Sequence, residues 1–462
     1  MEDKSVKTII DMQRNFFNSN KTKHVPFRIK QLKKFYTILK DNEALLMQAI
    51  HDDFKKSEFD TFTNELALLY SDLKEAIHKV NKWAKPKKVK TNLINFPAKS
   101  YVVPEPLGVS LIIGAWNYPY QLSFVPVVAS MAAGNTIVLK PSELPINTSH
   151  AMAKIINSNF DPNYFKVIEG GISETTALLE EKFDKIFFTG SVPVGKIIYN
   201  AAAKHLTPVT LELGGKSPAI VTENCNLKMT VKRLMWAKFL NAGQTCIAPD
   251  YAFVHHSIKD SFLALAKQEI KASQFSFSSA TNGNYVQIIN TKNMERLINL
   301  LDSANIYCGG KYQIEERYFE PTILTDITFD HKVMSEEIFG PILPVLTYDN
   351  IDTVISEIKK RPKPLACYVF TNNNQIKSKV LREISFGGGG INDAVMHITN
   401  SNMAFGGVGE SGIGAYHGEA GFIVFSHYKS ILEKAMWFEP NLKYHPHTST
   451  KLKWIKMMLG LY

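Results

Sequence analysis

Val109-Ser110-Leu111-Ile112-Ile113-Gly114-Ala115-Trp116-Asn117-Tyr118-Pro119 is the stretch that decides the fold. A nearly unbroken apolar run that ends at a glycine reads as a strand buried on both faces and followed by a turn. Working outward, Thr136 to Leu139, Phe165 to Glu169, Lys185 to Phe188 and Thr210 to Leu213 are runs of the same kind. Helical stretches, such as Ser149 to Asn157 and Gly195 to Lys204, separate them. Buried strands alternating with helices specify an α/β, doubly wound parallel sheet, where ligands sit beyond the carboxyl ends of the strands. A second alternating series begins near Ser217-Pro218-Ala219-Ile220-Val221 and runs to about Phe425, so two α/β domains with a cleft between them are expected.

Upstream of these strands the chain reads as helices. Phe27, Ile29, Leu32, Phe35, Ile38 and Leu39 recur at helical spacing, and Leu66, Leu69, Leu73, Ile77 and Val80 form a second stripe. Between the helices and the sheet, Val89 to Val109 holds short apolar pieces among Pro97, Pro104 and Pro106, which predicts a hairpin that leaves the main body.

The 462 residues, 45% of them hydrophobic, suffice for a large core. Four cysteines, Cys225, Cys246, Cys308 and Cys367, are too few to staple a chain of this length and suggest free thiols in a reducing compartment, with the cytoplasm as the best fit. Met1-Glu2-Asp3-Lys4 opens no apolar leader or anchor. Leu111 to Leu139 is broken by Asn117, Pro119, Gln121, Pro126 and Asn135, which argues for buried strands and a helix against a membrane span. The net charge of +10 is partly local, at Lys85 to Lys90 and at Lys451, Lys453 and Lys456. Such clusters are either solvated faces or contacts for an anionic partner, and no nucleic-acid motif surrounds them.

The chemistry concentrates in a few motifs. Gly243-Gln244-Thr245-Cys246-Ile247-Ala248-Pro249 surrounds a thiol with small and polar neighbours, leaving the sulfur approachable and backbone N–H groups free for an oxyanion. Leu211-Glu212-Leu213-Gly214-Gly215-Lys216 offers a carboxylate base. Asn117, after the first strand, is either a turn residue or a neutral oxyanion donor. Gly190, Ser191 and Gly195 lie between a strand and a helix, where backbone N–H groups meet a pyrophosphate or simply make a tight turn. Lys140 and Glu143, at the end of another strand, either cap a helix or reach ribose hydroxyls. Glu337 and Phe339 stand two apart in Glu336-Glu337-Ile338-Phe339-Gly340-Pro341, and a strand there would put both on one face.

In order, GAWNYP, KPSE, FFTGSVPVG, LELGGKSP, GQTCIAPDY and EEIFGP resemble the NAD(P)-dependent aldehyde dehydrogenases, and the likeness reaches about Lys429. The short N-terminal region and FGGVGESGIGAYHG at Phe405 to Gly418 are similar to the class 3 branch, with Ala404 where proline is usual. The resemblance implies that Cys246 is the nucleophile, that Asn117 and the Cys246 N–H hold the oxyanion, and that Glu212 activates water for thioester hydrolysis. NAD or NADP would lie on Trp116, Lys140, Glu143, Gly190, Ser191, Gly195, Leu213, Gly214, Glu337 and Phe339, and no metal is required. Residues 1–88 and 108–213 would form the cofactor-binding domain and 214–424 the catalytic domain. Segments 89–107 and 425–440 would form a small β domain that pairs two subunits as a homodimer.

The expected activity is oxidation of an aldehyde, medium- to long-chain aliphatic or aromatic, to the carboxylic acid. A dedicated lipid or carotenoid-pathway enzyme is the related alternative. A membrane- or nucleic-acid-binding protein with secondary catalysis is the contrasting one. The basic tail 441–462, with Trp454, Ile455, Met457, Met458, Leu459 and Leu461 among lysines, suits an amphipathic helix at a membrane surface, a flap over the substrate entrance, or a contact with the partner subunit.

Overall fold

The computed structural model describes residues 5–275 and 285–461; the opening Met1-Glu2-Asp3-Lys4 lies outside them. The first sheet has six strands, in spatial order Gly412–Ile413, Val209–Glu212, Lys185–Thr189, Val109–Ile113, Thr136–Lys140 and Phe165–Val167. All its pairings are parallel except that of Gly412–Ile413, which runs antiparallel to Leu211 and Glu212. Alternation along the strands divides the side chains between two layers. Val109, Leu111 and Ile113 pack with Phe188, Ile198 and Leu211, whereas Ile112 turns the other way toward Phe124, Leu139 and Phe187.

The helix Pro119–Ala133 lies in that second layer with every side chain buried. Proline at its start supplies a preset φ, and Gly134 ends it at φ +97°, a conformation that suits glycine. The N-terminal stripes form the helices Val25–Asp41 and Ala67–Trp83, which bury Leu32, Phe35 and Leu39, and Leu69, Leu73 and Val80. Phe62–Leu66, just before the second, is a turn of π-helix.

The second sheet has seven strands in the order Asn305–Cys308, Thr322–Thr325, Ile342–Tyr348, Tyr251–His255, Pro218–Val221, Ala366–Phe370 and Gly388–Ile391, antiparallel only at the first pair. In the third, Lys87–Val89 and Ser426–Lys434 flank Ala98–Pro106, all antiparallel, which includes the expected hairpin. One segment departs from the reading of 214–424 as a single unit. Gly412–Ile413 closes the edge of the first sheet, and Phe422 and Phe425 pack on Trp83 and Phe187 of the first lobe. Among the described residues no helix is long and apolar enough to cross a membrane. The tail forms a helix, Ser449–Met458, with none of its side chains buried.

Candidate active site

The site lies where loops at the carboxyl ends of the first sheet meet the loop that carries Cys246. Asn117 follows the strand Val109–Ile113 and is 3% exposed. Its Nδ2 donates to the Gln244 carbonyl at 3.0 Å, while Asn241 Nδ2 donates to the Asn117 carbonyl at 3.0 Å. Tyr118 and Thr245 share a hydroxyl hydrogen bond of 2.7 Å. Three hydrogen bonds therefore stitch the loop of Asn117 and Tyr118 to the segment that carries Cys246. An amide nitrogen carries two hydrogens, so Asn117 keeps one for a developing oxyanion.

Cys246 retains some exposed surface, but its sulfur sits deep. Burial, then the charges of Glu337 and Glu212, push the thiol up to about 12, against the pull of the Cys246 and Ile247 backbone N–H groups. Glu212, last residue of its strand, is 3% exposed, and neither carboxyl oxygen has a hydrogen-bond partner among the described residues. Burial alone raises its pKa well above the ordinary value, which gives it a high affinity for a proton. A buried, unpartnered carboxyl is costly to keep, and sites of chemistry are where such groups are found. Cys225, Cys308 and Cys367 are also free thiols; Cys367 is buried within a strand of the second sheet.

Most of the expected cofactor residues lie at or just beyond the carboxyl ends of strands of the first sheet. Lys140 ends its strand with its ammonium buried and paired at 3.0 Å with Glu143, whose side chain is half exposed. Ser191 precedes the helix Val192–Ala203 and makes no side-chain cap, so the helix start is open to an anion. Gly195 lies under Leu213, and a Cβ on Gly214 would collide with the Glu337 carboxylate. These glycines keep space that any other residue would fill, and the cation, open helix start and confined carboxylate suit a dinucleotide.

Glu337 and Phe339 are not on a strand: their segment is unpaired and Phe339 adopts φ +47°, so backbone alternation does not align them. They reach the site by other means. The Phe339 ring packs on Trp116 with centroids 5.3 Å apart, and Glu337 abuts Gly214. Burial and the Asp250 charge raise the Glu337 carboxyl to about 8, while Gly215, Lys216 and Arg296 pull the other way.

A clamp that the sequence does not announce holds this segment. Lys216 Nζ pairs with Asp250 and also donates to the Val333 and Glu336 carbonyls at 3.1 and 2.7 Å. Asp250 Oδ1 accepts the Ile338 N–H at 2.9 Å, and Arg296 donates to the Ile338 carbonyl at 2.7 Å. Both members of the clamp lie inside quoted motifs, but nothing in their spacing reveals the pairing. Tyr416 is a second omission: its buried hydroxyl has no hydrogen-bond partner among the described residues and lies within electrostatic reach of Glu212 and Cys246.

Comparison with known proteins identifies the family. Residues 1–431 match the model of the aldehyde dehydrogenase family. The 4,4'-diaponeurosporen-aldehyde dehydrogenase of Staphylococcus aureus is 45% identical over 443 residues, 96% of each chain. The dimeric NADP-preferring aldehyde dehydrogenase of Mus musculus is 41% identical over 432 residues, 94% of this chain and 95% of that one. A solved structure, the substrate-bound state of Staphylococcus aureus AldH, superposes with a TM-score of 0.96 at 43% identity, covering 99% of this chain and all of that one. The chain therefore belongs to the aldehyde dehydrogenase family, whose members are NAD(P)-dependent oxidoreductases.

Proposed function

We propose that this chain oxidises a medium- to long-chain aliphatic or aromatic aldehyde through Cys246, Asn117 and Glu212. The observation that carries the reading is Glu212: a fully buried carboxyl with no hydrogen-bond partner among the described residues, within electrostatic reach of the only thiol in the cleft-lining loop. Cys246 gives up its proton to water and its thiolate adds to the aldehyde carbon, while the oxygen that gains charge is held by the free Asn117 N–H and the Cys246 backbone N–H. Acceptance of the hydride is the chemistry that the nicotinamide supplies when bound, and it turns the thiohemiacetal into a thioester. Glu212 then takes a proton from water, which attacks the thioester and frees the sulfur. Burial raises its affinity for a proton, the direction a proton acceptor needs.

Lys140 and Glu143 would hold the adenosine ribose, the turn from Gly190 through Ser191 to Gly195 the pyrophosphate, and Trp116, Leu213, Gly214, Glu337 and Phe339 the nicotinamide end. The Lys140–Glu143 pair presents an acceptor for a 2′-hydroxyl and a cation for a 2′-phosphate, so the cofactor is NAD or NADP. Homodimerisation is proposed through the three-stranded sheet, in a cytoplasmic protein.

A second reading, a pathway enzyme acting on one bulky terpenoid aldehyde, is favoured by the likeness to the diaponeurosporen-aldehyde dehydrogenase along 96% of both chains. Peripheral membrane contact through the tail would suit such a substrate. Leu452, Trp454 and Met457 are each at least half exposed beside Lys451, Lys453 and Lys456. Production of NAD(P)H across aldehydes of graded length, with each cofactor in turn, tests the readings together. Turnover that rises with chain length supports the first, turnover confined to polyene aldehydes the second, and no turnover with any aldehyde rejects both.

A further inference from the structure

A buried ion pair stands behind the site on an element that the chemistry does not use. Lys56 and Glu65 have side chains 1% and 0% exposed, with Nζ and Oε1 2.7 Å apart. The other oxygen, Oε2, accepts the Tyr120 backbone N–H at 2.8 Å. Tyr120 lies in the first turn of the helix Pro119–Ala133, whose N-cap, Tyr118, offers no side-chain cap. Glu65 therefore supplies from a distant segment the acceptor that a helix N-terminus requires, and its charge favours the positive end of the helix dipole. The segment is the π-helical turn Phe62–Leu66, a rare local form that recurs at functional sites.

The pair acts on Tyr118 as well. Lys56 Nζ lies 4.3 Å from the centroid of the Tyr118 ring, within range of a cation–π attraction. The hydroxyl of the same ring is the one bonded to Thr245 at 2.7 Å. Tyr118 and Tyr120 thus both lean on the pair, and Tyr118 adjoins Asn117 as Thr245 adjoins Cys246. Replacing a buried pair by apolar groups is often neutral or favourable to stability, so stability alone is a weak reason for ions at this depth.

We propose that Lys56 and Glu65 are positioning residues for the oxyanion site: by fixing the helix start at Tyr120 and the ring of Tyr118, they set the spacing of Asn117 and Cys246. The inference rests on the assignment of Asn117 as oxyanion donor made above. Neither Lys56 nor Glu65 is assigned contact with the substrate; they act through Tyr118 and the helix.

The test is the double variant Lys56→Met/Glu65→Leu, which removes the acceptor of the Tyr120 N–H without leaving a lone buried charge. Lys56→Met/Glu65→Gln returns an uncharged acceptor. Melting temperatures establish that each is folded, and two rates are then compared: the first turnover of an aldehyde with NAD+, and alkylation of Cys246 by iodoacetamide. Alkylation displaces iodide from a saturated carbon and generates no oxyanion. A misplaced Asn117 therefore slows the aldehyde reaction while alkylation and the NAD+ dissociation constant stay unchanged. The expected loss in the Leu variant is roughly 10- to 100-fold, the scale of a small misplacement in an active site, with partial recovery in the Gln variant. A folded Leu variant with the wild-type aldehyde rate overturns the proposal, as does a parallel fall of aldehyde rate and alkylation. Should the double variants not fold, Tyr118→Phe cuts only the link to Thr245, and an unchanged aldehyde rate there has the same force. Asn117→Ala separates the two levels. If it turns over normally, the oxyanion assignment itself fails; if it is impaired while the pair variants are normal, only the positioning role fails.

Discussion

Asn117 Nδ2 donates to the carbonyl of Gln244, two residues before the sulfur of Cys246, at 3.0 Å. The bond ties the loop after a strand of the first sheet to the loop that carries Cys246, so the proposed oxyanion donor and the thiol share one frame.

Removing that donor has a defined outcome. Asn117→Ala is expected to lower kcat by about 100- to 1,000-fold, the usual effect of deleting one oxyanion donor, with little change in NAD+ binding measured by fluorescence titration. Cys246→Ala should abolish oxidation with the same binding. Near wild-type turnover in either variant would remove that residue from the mechanism.

Glu212→Gln separates the two halves of the reaction. The amide cannot take a proton from water, so a rapid-mixing experiment should show an initial burst of reduced cofactor close to one per site, followed by a steady state slowed by about 100-fold or more. Loss of the burst with an undiminished steady state would contradict the assignment.

The state of the sulfur is open to titration. With burial and two carboxylates holding the thiol near 12, alkylation of the cofactor-free protein should keep rising through pH 9 instead of levelling off near the ordinary thiol value. Glu337→Gln removes the larger of the two charges, so alkylation at pH 8 should quicken. An unaltered pH profile in that variant would count against the charge as the cause.

Glu337 also makes stability depend on pH. Its carboxyl is raised to about 8 from the ordinary 4.5, so between those values the folded chain binds more protons than the unfolded one. Stability contributed by this group is therefore lost as pH rises through that window. Glu337→Gln should raise the melting temperature relative to wild type at pH 8 and leave the difference smallest at pH 5; equal differences at both would show that ionisation is not the source.

The Lys216–Asp250 clamp predicts an effect on cofactor binding. Asp250→Asn weakens the Lys216 contact and frees the segment that carries Glu337 and Phe339. Breaking a buried pair costs ~3–5 kcal/mol at most, less here because Lys216 is 16% exposed. The NAD+ dissociation constant should rise by about tenfold, by the scale of a lost charged hydrogen bond, while alkylation of Cys246 remains measurable.

Apolar runs made the parallel strands of the first sheet legible, together with Pro218–Val221 of the second, because strands covered on both faces are mostly apolar. Cys246, Glu212 and Asn117 were singled out by their motifs. The pairs that position them were not: Lys56 with Glu65, and Lys216 with Asp250, meet only after folding, and each residue alone looks like an ordinary surface charge. Glu337 and Phe339 do not share one face of a strand as the spacing suggested, since periodicity assumes a regular backbone and Phe339 takes a positive φ. Gly412–Ile413 is two residues long, too short for any pattern to announce a strand.

That short strand bears on how the polypeptide is made. Its partner, ending in Glu212, is one of the two outermost parallel members of the first sheet, and Gly412 reaches it only after the whole second lobe has been synthesised. During translation the flank beside Glu212 is an open ladder, with unsatisfied amides available to any extended segment nearby. A ribosome-bound fragment stopping short of Gly412 should therefore be the form of this protein that depends most on chaperones.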